Sequence, residues 1–316
     1  MNDLQIKRGA NIPGFGSVSR IENVFGFWDI LWGRYHRSAT MRFITAPDGR
    51  KAKVICVEHS DPQAPSRTVR AATLLQHFHN NASVPRVLHV TPDCLIVEFI
   101  SGRPLNSSSV SDEIAAALGQ FVATNQPLGD QPAQSPVSVL AEKLEILRAR
   151  EVLDHDSFAA LTQLNAGVAP RTTAPSAICF SDSALKNFVH KPDESLAYVD
   201  VFGLSEKLIG LSFVKQALRV PRRVRPTFVN SYVANSEFSE QILRDLGVYC
   251  RLHLTDRAVA RSHAIKRNTA TGTTAYRRRR RRLAVAQAVE RLTNCVGLPD
   301  ETDAYLAWLL RQGRMM

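Results

Sequence analysis

The chain has 316 residues, 44% of them hydrophobic and 22% charged, a globular balance that excludes a wholly disordered polypeptide and suits two modest cores better than one. Its formal charge of +11 implies a long-range attraction for anions, whether nucleotide, nucleic acid or an anionic lipid or glycolipid surface. No segment reaches the roughly 18 continuous apolar residues that span a bilayer, and MNDLQIKRGANIPGFG has no apolar run after its charges, so neither membrane spanning nor export is expected.

The opening GANIPGFGS reads as a flexible N-terminal segment. A strand is expected around Phe25–Trp32, and Ala39–Glu58 reads as a hairpin. Its turn is Pro47-Asp48-Gly49, flanked by Met41, Phe43 and Thr45 on one side and Val54, Ile55 and Val57 on the other. Ser66–His79 predicts a helix, with Ser66 as N-cap and an apolar stripe of Val69, Ala72, Leu74, Leu75 and Phe78. Two short strands follow, VPRVLHV and CLIVEFI, joined at Thr91-Pro92-Asp93. After the break Ser101-Gly102-Arg103-Pro104 the pattern turns helical as far as Ala166, interrupted by an exposed loop over Gln126–Pro136. A second short β unit spans Ala177–Asp200, and helices fill most of the remainder. The five cysteines, Cys56, Cys94, Cys179, Cys250 and Cys295, sit apart among apolar neighbours with no C-x-x-C pair, which predicts buried free thiols in a reducing, cytoplasmic compartment.

The second β unit carries the chemistry. In ICFSDSALKNFVHKPDESLAYVDVFG, Asp182 precedes Asn187 by five positions. A short strand, a KPDES turn and a second strand then end on Asp200. Phosphoryl transfer from ATP uses such a set: a carboxylate to orient and deprotonate the attacking hydroxyl, and oxygen ligands for magnesium across the phosphates. Taken alone, Asp182 has a second reading as a turn or helix-cap aspartate. The combination of an apolar segment, a D-x-x-x-x-N loop, a hairpin and a terminal aspartate in Val199-Asp200-Val201-Phe202-Gly203 is less easily explained that way.

The combination resembles the catalytic loop and metal-binding aspartate of protein-kinase-like folds. VPRVLHVTPDCLIVEFISGRPL in turn resembles the segment of aminoglycoside phosphotransferases and choline-kinase-like enzymes that leads into the interlobe hinge. The resemblance implies an α+β, protein-kinase-like two-lobed fold. A small antiparallel-sheet lobe with one helix, residues 1–100, would bind nucleotide. A hinge would span 98–105. A larger, mainly helical lobe, 106–316, would hold the catalytic loop 180–203 and a basic segment 257–282. It further implies ATP and Mg²⁺ as cofactors, with Asp182 as catalytic base, Asn187 and Asp200 as metal ligands, and the Glu98 carbonyl and Ile100 amide holding adenine. Lys53 matches the phosphate-holding lysine, with Lys51 on the same strand face as its competitor.

Three departures from the family pattern stand out. Phe180-Ser181 replaces the usual His-Gly or His-Arg, and the predicted helix contains no glutamate to pair with the strand lysine, Arg70 standing near the expected place and Glu58 being another candidate acid. GRYHRS has only Gly33 where a phosphate-covering loop is richer in glycine, leaving Arg34, Arg37 and Ser38 to reach phosphate by side chain. A catalytically weak or inactive pseudokinase acting as a binding module is therefore the alternative to an active enzyme.

The acceptor side is less legible. Arg222, Arg223 and Arg225 in VPRRVRPTFVNSY resemble an arginine-rich helix start of bacterial lipopolysaccharide core sugar kinases, which implies a small-molecule or glycolipid sugar acceptor; a solvated basic helix is the alternative. Asp256 and Arg257 read as an exposed ion pair. Arg277–Arg282 cannot occupy one helical face and reads either as a solvated stretch or as a contact with an anionic surface, such as the inner face of a membrane. With Tyr276 alone beside the run, nucleic acid is disfavoured.

Overall fold

The computed structural model describes residues 6–23, 39–57, 66–78, 81–167, 173–269, 275–299 and 301–313. Its contacts divide the chain into two compact units, Met1–Asn106 with Phe180–Ser205, and Ser107–Cys179 with Glu206–Met316.

The first unit opens on a hairpin, β1 (Asn11–Ile12) and β2 (Gly16–Ser17). Ile6, Ile12, Phe15 and Val18 are buried in one cluster with Ile44, Val54 and Ile96. The glycine-rich opening is thus an ordered part of the core, not the flexible segment its composition suggests, because Ile12 and Phe15, with Ile6 and Val18 on either side, have a sheet to bury against. That sheet has the order β3-β4-β5-β7-β6, formed by β3 (Arg20–Asn23), β4 (Ala39–Thr45), β5 (Lys51–Val57), β6 (Val87–Val90) and β7 (Cys94–Glu98), all antiparallel. The expected strand at 25–32 and the Gly33–Ser38 loop lie outside the described residues, as does Glu58. The helix Arg67–Gln76 buries Thr68, Ala71, Ala72, Leu74 and Leu75, while Val69, expected on that stripe, is 43% exposed. Ser66 does not cap it by side chain; its hydroxyl meets Thr68 Oγ1 at 2.6 Å and the Pro92 carbonyl instead.

Past β7 the chain turns through Gly102 into β8 (Arg103–Pro104). A Cβ at Gly102 would overlap the Val189 side chain and the His190 carbonyl, so only glycine fits there. After helices Asp112–Thr124, Pro136–Ala149 and His155–Ala166 come β9 (Ser176–Phe180), β10 (Phe188–His190), β11 (Leu196–Tyr198) and β12 (Leu204–Leu208). β10 lies between β11 and β8 in a three-stranded sheet. Leu105 donates its N–H to Phe188 O at 2.9 Å, and Tyr198 donates to Ser83 O at 2.8 Å. These bonds group 180–205 with the N-terminal segment, whereas the sequence reading assigned them to the helical lobe.

In the second unit β9 pairs with β12, and the helices Leu211–Ala217, Arg225–Asn235, Ser239–Arg244, Leu246–Thr269, Ala275–Asn294 and Thr302–Arg311 follow. Five of the described residues with fully buried large side chains are aromatic residues of this unit: Phe213, Phe228, Tyr232, Tyr249 and Tyr305. Two arginines share that interior. Arg225 sends its guanidinium to the carbonyls of Leu309 (2.9 Å), Leu310 (3.1 Å), Gln312 and Val220 (3.1 Å), satisfying the carbonyls left open at the end of the last helix. Arg251 donates to Tyr305 Oη at 2.5 Å from the same interior. Arg223 donates to Val110 O at 2.8 Å. Arg225 is thus part of neither a solvated basic helix nor an acceptor-binding patch, whereas Arg222 and Arg223 are both exposed.

Candidate active site

The local fold of 180–203 follows from its register. Pairing of Phe188 with Tyr198 and Val189 with Ala197 brings Asn187 opposite Val199, whose N–H donates to Asn187 O at 2.9 Å. Asp200 therefore comes level with the start of β10. Short 3₁₀ turns, Leu185–Asn187 and Val201–Gly203, deliver the two ends. Asn187 Nδ2 donates to Asp182 O at 3.0 Å and to Asp200 Oδ2 at 3.3 Å, and Tyr198 Oη donates to Asp182 O at 3.0 Å. The Asp182 N–H donates to Gly203 O at 3.1 Å. A Cβ on Gly203 would run into Tyr198 Oη and lie 2.9 Å from Asp200 Oδ2 and 3.1 Å from Asp182 Cβ, so the turn closes only over glycine. The three predicted residues are thus brought together within one unit.

Under them lies an aromatic cluster. Phe180 packs against Tyr198 (4.8 Å between ring centroids), Phe188 (5.9 Å) and Phe78 (6.2 Å) and is 1% exposed. The phenylalanine standing where the family usually has histidine is therefore a packing residue that supports the loop, and its neighbour Ser181 shares a hydrogen bond with Ser205 Oγ.

The two carboxylates differ in setting. Asp182 is exposed, with Ala184 N–H donating to its Oδ1 at 3.3 Å. Asp200 is half-buried: burial and the Asp182 charge raise its pKa above the ordinary 3.8, against the opposing pull of Lys53 and of the Phe202 and Gly203 amides. Lys53, paired in register with Phe43 and Val97, is half-buried too; burial lowers its pKa and Asp200 acts the other way. Lys51, on the same strand face, is exposed, with its Nζ 6.0 Å from the Phe99 ring centroid. Lys53 therefore differs from Lys51 in being partly covered and under the influence of Asp200. Among the described residues the carboxylate acting on Lys53 is Asp200, and the helix Arg67–Gln76 contributes no acid. Arg70 is exposed on that helix, and Arg67 stacks its guanidinium over the Phe202 ring, 4.7 Å from the centroid.

At the end of β7, Glu98 donates its N–H to Arg86 O (2.9 Å) and its carboxylate accepts from Arg86 Nε at 3.0 Å. Phe99 donates to Lys51 O at 3.2 Å, and Ile100 is half-buried.

The donor set suits a hard divalent cation. Asn187 spends its amide nitrogen on the loop, leaving its oxygen as a ligand atom. Asp200 carries a charge that burial and Asp182 both oppose and that a cation would relieve. Among the described residues no cluster of three or more His, Cys, Asp or Glu side chains is present.

No family model and no curated protein matches the sequence. Solved structures do match the fold. A macrolide 2′-phosphotransferase, MphH, from Brachybacterium faecium aligns with TM-score 0.59 at 14% identity, over 86% of this chain and 93% of that one. The choline kinase LicA from Streptococcus pneumoniae aligns with TM-score 0.57 at 13% identity, over 87% and 94%. The amicoumacin kinase hAmiN, solved with AMP-PNP, Ca²⁺ and amicoumacin, aligns with TM-score 0.56 at 10% identity, over 90% and 97%. The chain has the protein-kinase-like fold shared by aminoglycoside phosphotransferases and choline kinases.

Proposed function

We propose that the protein is an ATP-dependent phosphotransferase that moves the γ-phosphoryl group to a hydroxyl of a small molecule. The observation that carries this reading is the convergence of Asp182, Asn187, Asp200 and Lys53 within one compact unit, on a fold shared with small-molecule kinases. Asp182, exposed and fixed through its backbone, takes the proton of the acceptor hydroxyl as the new P–O bond forms and ADP departs. Asn187 and Asp200 hold the metal by oxygen, and Lys53 holds the nucleotide phosphates. A magnesium ion held there would supply positive charge against the phosphates. The Glu98 carbonyl and Ile100 amide hold adenine. The nucleotide bound to the amicoumacin kinase, with its divalent cation, supports ATP and Mg²⁺ as the cofactors.

ATP with Mg²⁺ should raise the unfolding temperature in a metal-dependent way, by the equivalent of about 2.7 kcal/mol at a hundredfold excess over Kd. Thermal unfolding with ATP alone, Mg²⁺ alone and both together checks this. No rise at saturating nucleotide would instead support the pseudokinase reading, which the lack of a helix carboxylate for Lys53 favours.

The proposal extends to a cytoplasmic enzyme working at an anionic membrane face on the sugar of a glycolipid. Arg277–Arg282 falls within the helix Ala275–Asn294, on which Arg279, Arg282 and Leu283 are exposed. No helix among the described residues is long and apolar enough to cross a membrane, so attachment would be peripheral. Co-sedimentation with vesicles containing anionic lipid, weakened by salt and absent with neutral lipid, is the expected result.

A further inference from the structure

Away from the catalytic loop, two sulfur atoms stand within reach of each other. Cys56 on β5 and Cys94 at the start of β7 are 38 residues apart in sequence and are partners in the antiparallel register. The Val57 N–H donates to the Asp93 carbonyl at 2.8 Å, the bond that flanks a non-hydrogen-bonded pair. In such a pair the Cα atoms approach to about 4.5 Å and the side chains lie closest. That spacing falls inside the roughly 4.4–6.8 Å that a disulfide bridges without backbone movement. Both side chains lie on the sheet face that carries Val54 and Ile96 and packs on Ile12 and Phe15, and their sulfurs are 3.2 Å apart.

The two thiols differ in access. Cys56 is half-buried, whereas Cys94 is 4% exposed, and Cys179, Cys250 and Cys295 are buried as well. The neighbouring Cys56 sulfur, and then burial, push the Cys94 thiol well above its ordinary value. A reagent from solvent therefore meets Cys56 first, with Cys94 behind it as an internal second thiol. The surroundings give closure a structural consequence. Just before Cys94, Thr68 Oγ1 donates to the carbonyls of Thr91 at 2.7 Å and Pro92 at 2.8 Å, fixing the start of the helix Arg67–Gln76 to this turn. A bond between Cys56 and Cys94 would tie the end of β5 to the same turn, on the face of β5 opposite Lys53.

We propose that Cys56 and Cys94 form a redox modification site, a cross-strand dithiol that closes to a disulfide by exchange with a low-molecular-weight disulfide. The Cys56 thiol gives its proton to solvent, and the thiolate attacks one sulfur of the reagent, expelling the other as a thiolate. Cys94 then gives up its proton and displaces the remaining reagent sulfur from Cys56 as the Sγ–Sγ bond forms. The chain loses two protons and two electrons, and the reagent disulfide becomes two thiols. The site does not depend on the phosphotransferase reading.

Glutathione is the probe. The folded full chain is equilibrated in buffers of increasing oxidised-to-reduced ratio, quenched in acid, unfolded and alkylated. Of the five thiols, two should be lost at the oxidising end with no glutathione added, and a non-reducing peptide map should join Cys56 to Cys94. The oxidised chain should unfold about 5–10 °C above the reduced one, and dithiothreitol should erase the difference. Cys94→Ser should stop with one glutathione on Cys56, and Cys56→Ser should take none. No cross-link at any ratio, a cross-link only once the chain is unfolded, a bridge through Cys179, Cys250 or Cys295, or glutathione retained on Cys56 in the parent overturns the site. The peptide map of the parent decides the matter even where a variant fails to fold. No nucleotide enters the experiment, so the nucleotide reading stands or falls separately on the MgATP-dependent rise in unfolding temperature.

Discussion

Asp182→Asn is expected to unfold at the temperature of the parent or slightly above it and to lose phosphoryl transfer by about 10²–10⁴-fold, the usual contribution of a positioned general base. Fold and activity separate here because the loop is tied to the Asp182 main chain: Asn187 Nδ2 and Tyr198 Oη both donate to its carbonyl, and its N–H donates to Gly203 O. The side chain accepts only the Ala184 N–H among these bonds, and an asparagine oxygen can keep it. What the substitution removes is the ability to take a proton, together with one negative charge acting on Asp200. ADP release, measured with an acceptor found by screening alcohols, checks the rate, and thermal unfolding checks the fold. A variant that turns over at the parental rate would exclude Asp182 as the proton acceptor.

Much of this centre is legible in the sequence because it is local. Asp182, Asn187 and Asp200 lie within nineteen positions, and a loop and a hairpin are enough to bring them together. The same holds for the β4–β5 hairpin and for β6 and β7, whose turns and β-branched residues are contiguous. Spacing alone could not separate Lys51 from Lys53, since both face the same side of β5; the choice depends on which is covered and on the distant Asp200.

Legibility fails where partners are far apart. Arg225 reads as a solvated or ligand-binding arginine until the carbonyls of Leu309 and Leu310, 84 and 85 residues away, are seen to receive it. Asp256 is paired with Lys143, 113 residues away, not with its neighbour. The glycine-rich opening looked mobile because composition does not show that Ile12 and Phe15 share a core with Ile96. In each case a charged or flexible residue type takes a buried role that only non-local contacts reveal.

Asp200→Asn should stabilise the ligand-free protein while abolishing its Mg²⁺-dependent response to ATP. The parent carboxylate has a raised folded-state pKa, so the folded chain binds more protons than the unfolded chain between 3.8 and that raised value. The stability contributed by protonated Asp200 is fully present below the unfolded value and is lost as pH rises through the folded one. Above that raised value the native parent therefore carries the cost of a half-buried charge beside Asp182. The amide carries none and can still accept from Asn187 Nδ2. The variant's advantage should be absent in acid, grow between the unfolded value and the raised one and level off above the raised one, at about 2–4 °C for each kcal/mol relieved. Lys53 works in the other direction, since it loses the attraction of Asp200, and the net gain is smaller than Asp182 alone would give. Unfolding temperatures of both proteins from pH 4 to 8, with and without MgATP, measure both effects. A less stable variant at neutral pH would mean that the Lys53 attraction outweighs burial and the Asp182 repulsion. Retention of the metal-dependent shift would remove Asp200 from the metal site. A gain in stability with loss of binding would mark Asp200 as a residue kept at the expense of the empty fold for the cation it holds.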